Sequence, residues 1–117
     1  MFKTNEYFDG KVMSIGLESA EGRATIGVME KGEYEFGTST IEIMTVTSGK
    51  LQVMMPGETE WKTYKKFETF VVEKGVKFRC KAQEDTPYLC LYKWNLFSFY
   101  KKMEDIIVLH FSFFVCV

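Results

Sequence analysis

The chain has 117 residues, which is enough for one domain and too few for two. Hydrophobic residues make up 46% of it and aromatic residues 16%, so a packed core with large rings is expected and disorder is not. The formal net charge of -1 provides no field that would attract a nucleic acid polymer or an anionic membrane, although one local pocket could still hold a small anion.

Short segments rich in β-branched and aromatic residues follow one another along most of the chain. They predict strands at 11–15, 23–29, 33–38, 41–47, 51–55, 61–64, 67–72, 76–80 and 88–92. Turn signals such as Ser48-Gly49 and Pro56-Gly57 separate them. Because no segment in this region keeps a helical period, the pattern predicts an all-β sandwich or barrel.

The character of the sequence changes after Lys93. The stretch 106–117 is almost wholly apolar, yet its twelve residues are too few to span a bilayer, which needs about 20. We therefore expect one domain over residues 1–93 and an atypical extension over 94–117. The extension is either a read-through end that is foreign to the fold or a docked final element.

Cysteine and histidine are scarce. The three cysteines are odd in number and form no CxxC pair, and the first residues show no apolar signal region, so a cytoplasmic protein with reduced thiols is expected. Cys80 and Cys90 fall in predicted strands and are expected to be buried. His110 is the single histidine, which argues against a zinc, iron or copper site built from several histidines.

Glu42 is the main candidate for chemistry. In a strand it shares one face with Met44 and Val46, and both faces of that strand are apolar enough to be buried. A carboxyl group there loses water, so its pKa is expected to rise into the range used in catalysis at neutral pH. The alternative is a glutamate at the end of the strand that reaches solvent.

Residues with stacking and hydrogen-bonding capacity precede Glu42. Tyr34, Phe36 and Thr38 alternate onto one face, where two rings and a hydroxyl can hold a flat base and a sugar. The alternative is ordinary core packing.

Cationic side chains could balance a bound anion. Lys11 and Arg23 both begin predicted strands and either can reach the mouth of a barrel, whereas Lys77, Arg79 and Lys81 alternate so regularly that a solvated face is favoured.

The spacing Glu42-x6-Gly49 resembles the second half of the first cupin motif, with Thr38 and Phe36 where two metal-binding histidines normally stand. A longer ordered set of segments is similar to the bacterial pyrimidine/purine nucleoside phosphorylase family. The set comprises 5–12, 27–29, 32–38, 42–49, 51–53, 56–57 and 88–92. The resemblance covers about Asn5 to Tyr92 and implies a cupin-type β-barrel, also called a double-stranded β-helix or jelly roll.

The resemblance also implies the reaction. Members cleave nucleosides with inorganic phosphate to give free base and α-D-ribose 1-phosphate, and they accept uridine, cytidine, thymidine, adenosine, guanosine, inosine and xanthosine. It implies no metal and no organic cofactor, no nucleic acid or membrane partner, and a homodimer. In this light Glu42 is expected to be catalytic, and the expected substrate-binding residues are Tyr34, Phe36, Thr38, Met44 and Lys11, the last favoured over Arg23 through the resemblance alone.

Two other functions stay open at this point. A cupin without catalytic activity could bind a small sugar or nucleotide in the same pocket. A metal-dependent cupin oxygenase or isomerase is the third possibility, and the lack of histidines argues against it.

Overall fold

The computed structural model describes residues 1–95. Within them it has ten β-strands and no helix, so the all-β prediction is confirmed. The strands are β1 Lys3–Tyr7, β2 Val12–Ser19, β3 Gly22–Met29, β4 Gly32–Gly37, β5 Ile41–Val46, β6 Lys50–Met54, β7 Lys62–Lys65, β8 Thr69–Val72, β9 Lys77–Ala82 and β10 Thr86–Lys93.

The strands form two antiparallel sheets. The larger sheet has the order β1-β2-β3-β10-β5-β8 and the smaller one the order β4-β9-β6-β7. Strand β10 lies at the centre of the larger sheet, with Leu89 opposite both Ile26 of β3 and Thr45 of β5. The register therefore brings three strands that are distant in sequence side by side.

The core lies between the inner faces of the two sheets. Alternation along each strand turns every second side chain inward, as the pattern of β9 illustrates with Phe78, Cys80 and Ala82 buried. Fully buried inward residues include Val12, Met29, Val46, Leu51, Val53, Val72, Phe78 and Cys80. The outward residues of β9 are Lys77, Arg79 and Lys81, as their spacing predicts.

Strand β1 was not expected from the sequence. Its five residues are mainly exposed, and it pairs only with β2 at the edge of the larger sheet, so it carries no burial signature. The turn that follows places Phe8, Asp9 and Gly10 in the left-handed region, with φ of 52°, 56° and 85°. This turn folds the Phe8 ring back against Tyr34, with 5.0 Å between the ring centroids.

In residues 1–95, the structure has no helix of the length and apolar character required to cross a membrane. Apart from Trp94 and Asn95, the expected extension over residues 94–117, with His110, lies outside this part of the chain.

Candidate functional site

A cavity of about 350 Å³ opens between the two sheets. This volume is within the range of small-molecule sites in proteins, which is about 300–1,000 Å³. Both sheets contribute to its lining, which consists of Asn5, Tyr7, Ser14, Arg23, Thr25, Met29, Phe36, Gly37, Ser39, Thr40, Glu42, Met44, Phe78, Tyr88, Cys90, Tyr92, Lys93 and Trp94. The wall thus combines aromatic rings, hydroxyl groups, two cations and a carboxyl group.

Among residues 1–95, Glu42 supplies the only carboxyl group in this lining. It is the second residue of β5 and is partly buried, and the register sets it opposite Tyr92 of β10 and Val72 of β8. Burial raises the pKa of the Glu42 carboxyl, and a hydrogen bond donated by the Cys90 thiol, with 3.5 Å between Sγ and Oε1, lowers it by less. The net direction is upward, as the alternation of apolar residues around Glu42 predicts.

The two thiols in the described chain are not nucleophiles in this setting. Cys80 and Cys90 are buried and free, as expected from their places in strands. Burial is the main cause that raises the pKa of each thiol, and the neighbouring Glu42 raises both further. Because the thiolate is the reactive form, both cysteines are expected to stay protonated and inert.

Aromatic rings form much of the wall. Phe36 of β4 is partly buried against Phe78, with 5.7 Å between the ring centroids, and faces the cavity. On the other sheet Tyr92 shares a hydrogen bond with Thr25, with 2.8 Å between the two oxygens. Rings on both sheets can therefore stack on a flat ligand that enters between them.

Tyr88 lies in the cavity because its cross-strand neighbour is a glycine. Gly27 is directly opposite Tyr88, and a Cβ at that position would lie 2.5 Å from the Tyr88 ring. Any larger residue would have to displace the ring, so Gly27 fixes the shape of this part of the wall.

Of the residues predicted to form the site, the structure brings Glu42, Phe36 and Met44 together in the cavity lining. Met44 is nearly fully buried and follows Glu42 on the same face of β5. Both side chains lie on one side of the sheet because they share a face of β5, as inferred from the sequence.

The structure does not bring Tyr34, Thr38 and Lys11 into that lining. Tyr34 is buried in the core and its hydroxyl donates to the Glu30 carbonyl at 2.6 Å. The Thr38 hydroxyl donates to the Glu73 carbonyl at 2.6 Å and thereby holds the loop before β9. Lys11 lies exposed in the turn before β2. These placements leave the substrate-binding roles expected for the three residues without geometric support.

The cations of the cavity are Arg23 and Lys93. Arg23 was the alternative to Lys11 in the sequence, and alternation along β3 places it on the same inward face as Thr25 and Met29. Lys93 was missed altogether. Its position at the end of β10 gave no signal, and only the pairing of β10 with β3 brings it near the start of β3.

Residues 1–95 contain no group of three or more histidine, cysteine, aspartate or glutamate side chains placed to hold an ion.

Known proteins resemble this chain over nearly all of its described length. The family model for pyrimidine/purine nucleoside phosphorylase matches residues 2–92. A pyrimidine/purine nucleoside phosphorylase of Alcanivorax borkumensis is 56% identical over 92 residues, which are 79% of this chain and 98% of that protein. One from Pseudomonas syringae pv. tomato is 55% identical over 93 residues, 80% of this chain and all of that protein.

Solved structures resemble the chain over a similar share of its length. A Vibrio parahaemolyticus protein of unknown function superposes with a TM-score of 0.74 and 42% identity, covering 77% of this chain and 96% of its own. An RmlC-like cupin from Shewanella frigidimarina has a TM-score of 0.63 at 16% identity, covering 81% and 86% of the two chains, so it shows the fold alone. The fold is that of the cupins, and the chain belongs to the pyrimidine/purine nucleoside phosphorylase family.

Proposed function

We propose that this chain is a nucleoside phosphorylase that accepts both purine and pyrimidine nucleosides. An oxygen of inorganic phosphate forms a bond to C1′ of the sugar as the bond from C1′ to the base nitrogen breaks. The electron pair of the broken bond leaves with the base, which takes up a proton. The products are the free base and α-D-ribose 1-phosphate, or 2-deoxyribose 1-phosphate from thymidine.

The observation that carries this proposal is the Glu42 carboxyl group in an aromatic cavity of the size of a small-molecule site. The sugar becomes cation-like as the glycosidic bond breaks, and a partly buried carboxylate such as Glu42 stabilises positive charge more strongly than one in water. Family membership supports the same reaction.

The proposed substrates are uridine, cytidine, thymidine, adenosine, guanosine, inosine and xanthosine. Phe36, Tyr88 and Tyr92 line the cavity, and aromatic rings can stack on any base. Recognition by stacking tolerates different bases, whereas a site that required hydrogen bonds to one base edge would reject the others strongly. The aromatic wall therefore supports broad base specificity, and the enzyme class is that of a pentosyl transferase.

Incubation of the purified chain with uridine or adenosine tests the reaction directly. Free base is expected only when inorganic phosphate is present, in an amount equal to the sugar 1-phosphate formed, as measured by chromatography. Nucleoside binding without base release would instead favour a cupin that only binds its ligand, and base release without phosphate would indicate a hydrolase.

We further propose that the chain is a cytoplasmic homodimer. The free, buried Cys80 and Cys90 are compatible with a reducing compartment. For the dimer, the support is an apolar patch on the outer face of the larger sheet, formed by Met13, Ile15, Ile26 and Val28, each about half exposed. Cross-strand pairing makes the patch continuous, because Met13 faces Val28 and Ile15 faces Ile26. A second copy with the same patch can cover it about a two-fold axis.

The dimer is tested by replacing Ile26 with lysine. A charge at the centre of an apolar contact must be desolvated on association, so light scattering after size-exclusion chromatography should show a dimer for the parent and a monomer for Ile26→Lys. Arg79→Gln, on the outer face of the other sheet, is the control and should stay dimeric. A parent chain that is monomeric at micromolar concentration would overturn the dimer.

A further inference from the structure

Three adjacent strands place three different groups on the cavity face of the larger sheet. Arg23 and Thr25 come from β3, Tyr92 from β10 and Glu42 from β5. The register sets Thr25 opposite Cys90, and Tyr92 opposite Glu42. Because neighbouring strands lie about 4.8 Å apart, the backbones that carry Arg23 and Glu42 are separated by about 10 Å, with Tyr92 between them.

Arg23 is held over the cavity without a carboxylate partner. Its guanidinium carbon lies 5.7 Å from the centroid of the Tyr92 ring, a cation–π contact that orients the planar group. The ion pair that forms within 4.0 Å among residues 1–95 does not involve Arg23. It joins Arg79 to Glu33 on the outer face of the other sheet. Glu18 of β2 is the cross-strand neighbour of Arg23, but the two do not form an ion pair, so the charge of Arg23 is available to a ligand.

Lys93 also borders the cavity, but its ammonium group is engaged elsewhere. Its ammonium group donates a hydrogen bond to the Glu21 carbonyl and lies 3.2 Å from where a Cβ on Gly22 would be. Alternation along β3 directs a Cβ on Gly22 to the face of the sheet opposite Arg23, so the Lys93 ammonium does not share the position of the guanidinium. Among the described residues that line the cavity, Arg23 is therefore the cation whose side chain lies on the cavity face.

We propose that Arg23 forms the phosphate subsite of the cavity. This inference rests on the proposed phosphorolysis. A guanidinium group offers two parallel N–H donors that match two oxygens of one phosphate, and charge-assisted hydrogen bonds of this kind are the strong ones. The subsite binds inorganic phosphate before the reaction and the phosphate group of ribose 1-phosphate after it.

The stereochemistry of the product restricts where the phosphate can lie. A β-nucleoside yields an α-sugar phosphate only if the phosphate oxygen attacks C1′ from the face opposite the departing base. Phosphate and base must therefore lie on opposite sides of the sugar. A cationic end of the cavity at Arg23, set apart from Glu42 by two strand spacings, provides a phosphate position that the Glu42 carboxylate does not repel at close range.

The test compares Arg23→Gln and Arg23→Lys with a matched control, Arg79→Gln. Arg79 is also an exposed arginine over an aromatic ring, 5.5 Å from the Trp61 centroid, but it lies on the outer face of the smaller sheet. Arg23→Gln is expected to raise KM for phosphate by about 10- to 100-fold, the range for loss of hydrogen bonds to a charged group. KM for the nucleoside should change less than about threefold, Arg23→Lys should recover part of the loss, and Arg79→Gln should match the parent.

Calorimetric titration of the same four proteins with inorganic phosphate gives a readout that does not depend on turnover. Phosphate binding to the parent that is lost in Arg23→Gln supports the subsite even if no base is released, in which case only the proposed reaction fails. Unchanged phosphate KM and binding in Arg23→Gln would overturn the subsite. Equal increases in KM for phosphate and KM for the nucleoside would overturn it as well, because they would indicate that Arg23 mainly holds Tyr92 in place.

Discussion

Replacement of Glu42 by glutamine is expected to lower kcat for phosphorolysis by about 100- to 1,000-fold, the loss typical when one preorganised electrostatic group at a reaction centre is removed. Glutamine has nearly the same shape and retains an oxygen that can accept from the Cys90 thiol, but it carries no charge. The cation-like sugar would lose its stabilising carboxylate while the cavity keeps its form.

Initial rates of base release from uridine and adenosine at saturating phosphate measure this effect. Glu35→Gln is the matched control, because Glu35 is an exposed glutamate on the outward face of β4 and should retain full activity. A Glu42→Gln protein that folds normally and turns over at the parent rate would remove Glu42 from the reaction.

The pH dependence of the parent follows from the same group. Because burial raises the pKa of Glu42 above its ordinary value of 4.5, the carboxylate is lost at a higher pH than for an exposed glutamate. The rate should therefore fall on the acid side with a midpoint above 4.5, and this acid limb should be absent from the residual activity of Glu42→Gln.

The second large effect is a gain in stability from the same substitution. A raised pKa means that the folded state binds the Glu42 proton more tightly than the unfolded state does, so ionisation of Glu42 destabilises the fold. At neutral pH Glu42→Gln should raise the free energy of unfolding by about 0.5–2 kcal/mol, the gain that single stabilising substitutions commonly give.

Denaturant unfolding of the parent and of Glu42→Gln across a pH series shows the sign. Below the unfolded pKa the carboxyl is neutral in both states, and the two proteins should have similar stability. As the pH rises through the folded pKa, the parent should lose stability relative to Glu42→Gln. Glu35→Gln should stay within about 0.5 kcal/mol of the parent throughout. A difference between the parent and Glu42→Gln that does not change with pH would contradict a buried, ionising Glu42.

Side-chain alternation was enough to predict part of the site. The period of two along β5 places Glu42 and Met44 on one face, and the same period in β4 turns Tyr34 and Phe36 inward. Alternation does not determine how far along a strand the cavity extends. Phe36 lies beside the open space, whereas Tyr34, two residues earlier, is packed under the Phe8 ring.

Contacts with distant parts of the chain determined where the other predicted site residues lie. Thr38 has its hydroxyl engaged by the backbone of Glu73 and Val76, which are 35 and 38 residues away. Arg23 replaces Lys11 as the cation near the cavity because β3 pairs with the central strand β10, while Lys11 lies in a turn at the edge of the sheet. Neither outcome has a local signal in the sequence.

The sequence by itself determined the all-β class, most of the strands, the face that Glu42 presents and the family, since these depend on residue type and on spacing within one segment. Only the tertiary structure decided which of the inward residues border open space, which cations stand beside them and which hydroxyls are already engaged. Those properties arise from contacts between strands that are 20 to 70 residues apart, such as Thr25 with Tyr92, and the periodicity of one strand holds no information about its neighbours.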